Sequence, residues 1–444
     1  MSVHAQTVKV VAGILLSTGC VFAEVTVLQN FNLIDGRGGT PVPNASLVIR
    51  DGRIEYAGPG SRMPKVSGAR IVDLTGKYVM PGIINLHGHV GNVSELTQDP
   101  KNFTRANVDK NLKTYASYGV TSVVSMGSDQ PLILDVRSEQ RAGRPATTRV
   151  FTAYRGFTGK GGYPTSAPGM KGVPFEVENA DQVKKDVAEL AAKKVDVVKI
   201  WVDDHLGKQK KIPMDLSKAI IEAAHRDHLK VAAHIFYLDD AKQLVEAGLD
   251  GLAHSVRDKP VDSALIASMK KHGAWQMAAT LAREGSMMVY GKNAPFLDDP
   301  FFTRSVSPGV IATLKSSDYQ KKITADPDFK LYAGFLETAK KNLKRLADAG
   351  VKYGFGTDTG PPARFPGYFE HWEMELMVDA GLTPMQVITA ASKSSAEFLG
   401  VSKELGTLER GKWADLIVLR ADPLANIKNT RTIDTVYIAG NKAN

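Results

Sequence analysis

Several side chains in this chain are of types that bind metal ions, and their placement is regular. His87 and His89 lie two apart in Asn85-Leu86-His87-Gly88-His89-Val90, at the end of an apolar run that follows Met80-Pro81-Gly82. Alternate residues of a strand point to one face, so both imidazoles can reach one ion. His234 closes Val231-Ala232-Ala233-His234, His254 closes Gly251-Leu252-Ala253-His254, and Asp358 ends Tyr353-Gly354-Phe355-Gly356-Thr357-Asp358. Taken singly, a strand histidine is more often a hydrogen-bonded core residue, and an aspartate in Gly-Thr-Asp-Thr-Gly more often caps a turn. Four of the ten histidines at strand ends, together with a carboxylate, shift that balance toward a metal site. Lys199, inside Val195-Asp196-Val197-Val198-Lys199-Ile200, is the odd member, because an ammonium in an apolar strand is costly unless paired or modified. It could snorkel or pair with Asp203 or Asp204. Alternatively, desolvation favours the neutral amine, which can add carbon dioxide to give a carbamate able to bridge two metals.

Such a set needs a scaffold that gathers strand ends. Between residues 81 and 402, short apolar runs alternate with segments of helical period, the pattern of a parallel sheet wrapped by helices. Eight runs read as strands: 83–90, 121–126, 149–154, 195–202, 230–236, 251–255, 274–279 and 353–357. Eight is the number that closes a (β/α)8 barrel. Helices are expected over 180–194, 216–228, 239–247, 261–272 and 331–349. Another should start at Thr383-Pro384-Met385-Gln386, an N-cap with proline at N1 and glutamine at N3, and stop near Gly400. A doubly wound open sheet competes, but no glycine-rich nucleotide fingerprint follows the first strand. The connections 155–178 and 281–328 are longer than ordinary loops and leave strand ends where barrel enzymes place their sites. At both ends of the chain the pattern changes to short alternating runs broken by turns, as in Asp51-Gly52 and in Asp415-Leu416-Ile417-Val418-Leu419. The expected fold is α/β, a (β/α)8 TIM-like barrel over 81–402 with a small β-sandwich domain built from both terminal segments, 24–80 and 403–444.

Composition narrows the classes further. The 444 residues, 43% of them hydrophobic, supply ample core, and the formal charge of +9 is spread too thinly to mark a polyanion partner. The short basic runs Lys208-Gln209-Lys210-Lys211 and Lys340-Lys341-Asn342-Leu343-Lys344-Arg345 read as solvated faces, so no nucleic-acid partner is expected. With Cys20 the single cysteine, intramolecular disulfides, four-cysteine zinc sites and cysteine-ligated clusters are excluded by arithmetic. Residues 1–23 read as a signal peptide, with Lys9, an apolar stretch and Val21-Phe22-Ala23 before Glu24, which predicts export to the periplasm or medium. Lipid anchoring at Cys20, in the imperfect box Leu16-Ser17-Thr18-Gly19-Cys20, is the alternative. No later segment is apolar for long enough to cross a membrane, so no transmembrane span is expected in the mature protein.

His87-Gly88-His89, Lys199, His234, His254 and Asp358, on strands one, four, five, six and eight, resemble the metal-dependent amidohydrolase superfamily. The branch they look like holds imidazolonepropionase-like proteins and bacterial dipeptidases with a carboxylated lysine. The likeness runs through Asp73-Leu74-Thr75-Gly76-Lys77, Ala380-Gly381-Leu382-Thr383-Pro384 and Gly406-Thr407-Leu408-Glu409-Arg410-Gly411-Lys412-Trp413-Ala414-Asp415-Leu416. It implies two divalent metal ions: His87 and His89 with Asp358 on one, His234 and His254 on the other, and carboxylated Lys199 with a hydroxide between them. Zinc is the first choice, since imidazole and carboxylate suit it and the mature chain has no thiolate. Asp358 would then carry a proton from the attacking water to the leaving nitrogen.

The substrate is less legible. Tyr237, three residues after His234, could lend its hydroxyl to an oxyanion, and Arg155, Arg257 and Arg283 could clamp a substrate carboxylate. The run Trp201-Val202-Asp203-Asp204-His205 departs from the glycine-rich run of the dipeptidase-like members and could form an acidic subsite. The leading expectation is hydrolysis of small molecules that are dipeptides or N-acyl amino acids. Cyclic amides, lactones and organophosphate esters stay open on the same machinery, as do a non-catalytic extracytoplasmic binding protein and a homo-oligomer.

Overall fold

The computed structural model describes residues 25–443. The expected leader, its cleavage site and Cys20 lie outside the described residues.

Both ends of the chain enter one eight-stranded sheet. Val25–Leu33 pairs antiparallel with Val42–Arg50, which pairs antiparallel with Arg53–Pro59. The turn between the last two is made by Asp51 and Gly52, both at positive φ (49° and 81°), the backbone that a tight hairpin demands. A Cβ on Gly52 would stand 2.3 Å from the Ala439 carbonyl oxygen, so only glycine lets this hairpin tip close on the C-terminal strand. Tyr78–Pro81 is the joint between the two ends, parallel to Val25–Leu33 and antiparallel to Leu416–Leu419. Leu416–Leu419 pairs in turn with Ile433–Ile438. Leu28, Leu47, Leu416, Val418 and Tyr437 share one apolar cluster, so residues hundreds of positions apart bury a common face.

The middle of the chain is α/β with parallel sheets. Ile83–Gly88, Val120–Ser125 and Arg149–Thr152 lie side by side in one. Val198–Trp201, Val231–His234, Gly251–Leu252 and Trp275–Gln276 follow in sequence order in the other. Apart from Arg149, every residue of these strands is buried, which is why they read as near-continuous apolar runs rather than alternating ones. Helices cover them from outside. In Ala180–Ala192 the Asn179 side chain caps the start, accepting from the Gln182 N–H, and Val183, Val187 and Leu190 recur on the buried side. The capping box at Thr383 and Gln386 is present, and the helix Pro384–Thr389 it opens passes through a wider turn at Ala390–Ser394 into Ser395–Phe398.

Two expectations change on contact with the structure. The eighth run, 353–357, is not a regular strand and pairs only through isolated parallel bridges, Tyr353 with Gln276 and Thr359 with Gly88. Its hydrogen bonds still reach both neighbours: Gly354 N–H donates to Gln276 O at 3.0 Å, and Leu86 N–H to Phe355 O at 2.8 Å. The irregularity comes from crowding, since a Cβ on Gly356 would lie 2.9 Å from the His87 nitrogen, and from Asp358, which turns to φ 57°. The connection 281–328 is not an open loop either. It folds into Leu281–Val289, Pro300–Thr303, Pro308–Lys315 and Ser317–Thr324, because Asp299 and Ser307 each cap a helix whose first residue is proline. Tyr290, Phe296, Phe302 and Phe369 bury its inner side.

Candidate active site

Four imidazoles converge at the C-terminal ends of the parallel strands. Ring centroids of His87 and His254 are 4.7 Å apart, those of His234 and His254 4.1 Å, and those of His87 and His89 5.5 Å. Asp358 Oδ1 lies 3.0 Å from His89 Nε2 and 3.6 Å from His87 Nε2. The potential ligand atoms of His87, His89 and Asp358 all fall within 4.8 Å of one another.

Each ring has one nitrogen tied down. His87 Nδ1 donates to Ala253 O at 2.9 Å, and His234 Nε2 donates to Asp203 Oδ2 at 2.6 Å. His89 Nδ1 meets Ser128 Oγ at 2.8 Å and His254 Nδ1 meets Thr280 Oγ1 at 2.8 Å. The Ala253 carbonyl and the Asp203 carboxylate can only accept, so they select the tautomers of His87 and His234 that leave the other nitrogen with its lone pair, and all four contacts fix ring orientation as in metal-binding histidines. His254 Nε2 is buried with no hydrogen-bond partner among the described residues, a polar atom left without a function unless something ligates it. Burial keeps His87 and His254 well below the ordinary histidine range, and it takes His234 down to about 4 against the pull of Asp203. All three are neutral imidazoles at neutral pH, the form that binds metals. Burial opposes the charge of Asp358, but Arg364, His87 and His89 hold it well below the usual carboxylate range.

Lys199 is fully buried, with Nζ 3.5 Å from His87 Nε2. Its stem passes between two glycines: a Cβ on Gly127 or Gly156 would come within 3.0 or 2.9 Å of its Cγ. Neither Asp203 nor Asp204 pairs with it. Desolvation, partly offset by Asp358, brings its amine down to about 7, so the uncharged, nucleophilic form is accessible near neutrality. The donor set of four imidazoles, one carboxylate and this amine fits divalent ions.

Around this core the structure separates the remaining candidates. Arg283 reaches the site, with Nε 3.6 Å from Asp358 Oδ2, and its Nη1 bonds Glu284 at 2.5 Å. Arg257 is buried behind it, donating to the carbonyls of Ile235 and Ser255 and sharing Glu284 at 3.0 Å. Arg155 faces away and holds the chain at residues 172–174, donating to the carbonyls of Val173, Gly172 and Pro174. The Tyr237 hydroxyl donates to Asp204 Oδ1 at 2.8 Å, and the residue is not part of the cavity wall. With Asp203 bonded to His234 and Asp204 to Tyr237, neither acid stands free as an acidic subsite.

Three participants had no sequence signal strong enough to single them out. Tyr163 lines the cavity with its ring 5.2 Å from that of His234. Arg364 donates to Asp358 Oδ2. Glu370, on the helix Tyr368–Asp379, lies buried behind the Asp358 turn and accepts from Asn85, Thr357, Thr359 and the Gly367 N–H. The threonines flanking Asp358 in Gly-Thr-Asp-Thr-Gly were the available hint, since alternate residues share a side.

The model of the family described as "Amidohydrolase family" matches residues 78–443. Ochratoxinase of Aspergillus niger is 25% identical over 440 residues, covering 91% of this chain and 83% of that protein. Imidazolonepropionase of Geobacillus sp. (strain WCH70) is 23% identical over 397 residues, covering 85% and 84%. A solved Xaa-Pro dipeptidase with methionine in its active site superposes with a TM-score of 0.73 at 20% identity, covering 94% of this chain and 99% of that one, a likeness of fold.

Proposed function

This chain belongs to the amidohydrolase family, and on that premise we propose that it is a metal-dependent hydrolase that cleaves the amide bond of dipeptides or N-acyl amino acids. The observation that carries the reading is the buried, unpartnered His254 Nε2, facing a cavity whose other imidazoles each have their second nitrogen anchored. His87, His89 and Asp358 would hold one ion and His234 and His254 another, with Lys199 as its carbamate between them. Bound divalent ions, zinc first by donor chemistry, would supply Lewis acidity and lower the pKa of water. The chain's own groups do the rest. Asp358 accepts the proton of the attacking water at Oδ1 or Oδ2 and returns it to the departing nitrogen. Arg283 and Arg364 steady that carboxylate, and Trp201 and Tyr163 narrow the cavity around the scissile bond.

The same reading takes the parallel strands as a (β/α)8 barrel over 81–402. The hydrogen bonds of residues 352–359 to both neighbouring strands support this, as does the bond from Asp196 N–H to Thr152 O between the third and fourth strands. Residues 24–80 and 403–444 are read as the β-sandwich. Export through the leader 1–23 belongs to the proposal, and N-terminal sequencing of protein recovered from the cell envelope tests it.

Metal analysis and turnover together test the function. Protein reconstituted with zinc, cobalt or manganese should bind two ions per chain and hydrolyse members of a dipeptide and N-acyl amino acid library. Lys199→Ala should lose one ion, and Asp358→Asn should lower kcat roughly a hundred- to ten-thousand-fold. A protein that takes up no metal, or one that hydrolyses lactones but no amide, overturns the reading.

A further inference from the structure

The cleft does not end at the ligand cluster. A second cavity opens on the far side of residues 360–366, and the two share Val93, Gly360, Pro361 and Arg364 as walls. The backbone of that partition is fixed: Gly360 N–H donates to Arg364 O at 2.9 Å, Arg364 N–H to Pro361 O at 3.0 Å, and the Tyr290 hydroxyl to Ala363 O at 2.7 Å. The Arg364 side chain belongs to that partition, and Asp358 is the only acceptor its guanidinium reaches among the described residues.

Three guanidinium groups gather at this end of the site. Arg257 and Arg283 share the Glu284 carboxylate, Arg283 and Arg364 both approach Asp358, and Asp203 is tied to His234. An Asp358 engaged by cations neutralises Arg364 less, leaving a planar fork suited to bidentate capture of a carboxylate next to the reacting bond. In an N-acyl amino acid the carboxylate sits on the carbon attached to the scissile nitrogen, and that same carbon carries the side chain. Beyond Arg364 the second cavity has apolar walls in Val306, Val310, Ala363 and Phe365 and polar ones in Asn111, Thr114, Ser305 and Ser307, with Glu95 and Lys110 exposed at its rim.

We propose that Arg364 anchors the α-carboxylate of the amino acid released by hydrolysis and that the cavity beyond it receives that amino acid's apolar side chain. The substrates are then N-acyl or N-aminoacyl derivatives of apolar amino acids with a free carboxylate. One water is consumed: the amide C–N bond breaks, the acyl carbon gains the hydroxyl, and the nitrogen leaves with the proton as a free amine. This inference rests on the amide-hydrolase reading.

The test uses metal-loaded full-length protein, N-acetyl-L-leucine, N-acetyl-L-leucinamide and N-acetylglycine, with calorimetric binding alongside turnover. The acid should bind at least about tenfold tighter than the amide, the worth of one charge-assisted pair. Arg364→Met, brought to the same metal content as the native protein, should abolish that difference, and Arg364→Lys should restore part of it. Val310→Trp should raise KM for N-acetyl-L-leucine by a larger factor than KM for N-acetylglycine. Equal affinity for acid and amide, or equal losses for both in Arg364→Met, overturns the anchor, and equal KM factors in Val310→Trp overturn the side-chain cavity. If amides are hydrolysed without dependence on Arg364, this inference alone fails. If N-acetyl-L-leucine binds through Arg364 but no amide is cleaved, the anchor stands and the hydrolase reading fails.

Discussion

Glu370→Gln is the substitution that most directly probes how the fold holds Asp358. Glu370 Oε1 accepts from Asn85 Nδ2 at 2.7 Å, Thr357 Oγ1 at 2.9 Å and Thr359 Oγ1 at 2.7 Å, while Oε2 accepts from Gly367 N–H at 2.6 Å. Burial raises its pKa somewhat, against the effect of the threonine and Gly367 donors. A glutamine keeps one acceptor oxygen. If that oxygen stays with the three side chains, its amide N–H2 confronts the Gly367 N–H, leaving a buried backbone donor unpaired at a cost of about 1–3 kcal/mol. The other three bonds lose their charge assistance, roughly another 1 kcal/mol each, and relief from burying a charge offsets part of the sum. A net loss of about 2–4 kcal/mol is expected, read as a lower urea midpoint of the metal-free protein with an unchanged m-value. Thr357 and Thr359 flank Asp358, which sits at φ 57°, so a loosened network should also let this turn relax. Metal affinity, measured by chelator competition, should fall about 10–100-fold, as when other groups that orient ligands are removed. A stability loss with unchanged metal affinity would refute the positioning argument, and no change in either would refute the energetics as well.

Other consequences follow from the same structure. Burial lifts Asp129 to about 7 despite hydrogen bonds from Ser125 and Thr152 and the charge of Arg137. Its folded pKa lies above its unfolded one, so the native protein retains a proton the unfolded chain has released, and this group's contribution falls as pH rises from about 4 to about 7. The fall is at most roughly 4 kcal/mol; urea midpoints across that window should drop less in Asp129→Asn than in the native protein. Glu284→Gln should cost about 3–5 kcal/mol in urea unfolding, because it leaves Arg257 with only carbonyl acceptors and Arg283 with only the more distant Asp358 in the interior.

Legibility in the sequence tracked periodicity. The helix expected at 180–194 is observed as Ala180–Ala192, and those at 239–247 and 331–349 as Leu238–Glu246 and Tyr332–Asp348, because each carries a repeating apolar face. His87, His89, His234 and His254 could be found because each terminates an apolar run, so burial and position were readable together. The segment 281–328 reads as a loop in the sequence because its helices are short and its apolar residues are aromatic and irregularly spaced. Its Asp-Pro and Ser-Pro caps were nonetheless visible. Tyr163, Arg364 and Glu370 lay beyond reach, since each acquires its role only from residues far away in the chain.

What the sequence by itself determined was the candidate donor set: which residues can ligate, and in what order along the chain. Those properties are local, set by side-chain chemistry and by the alternation of a strand. What only the tertiary structure decided was the state of each donor. Ala253 and Asp203 choose which nitrogen of His87 and His234 is free, Ser128 and Thr280 orient the rings of His89 and His254, Arg364 and Glu370 fix the charge and posture of Asp358, and full burial lowers the pKa of the Lys199 amine. Hydrogen-bond direction and desolvation depend on groups brought together from distant parts of the chain, and no local pattern encodes them.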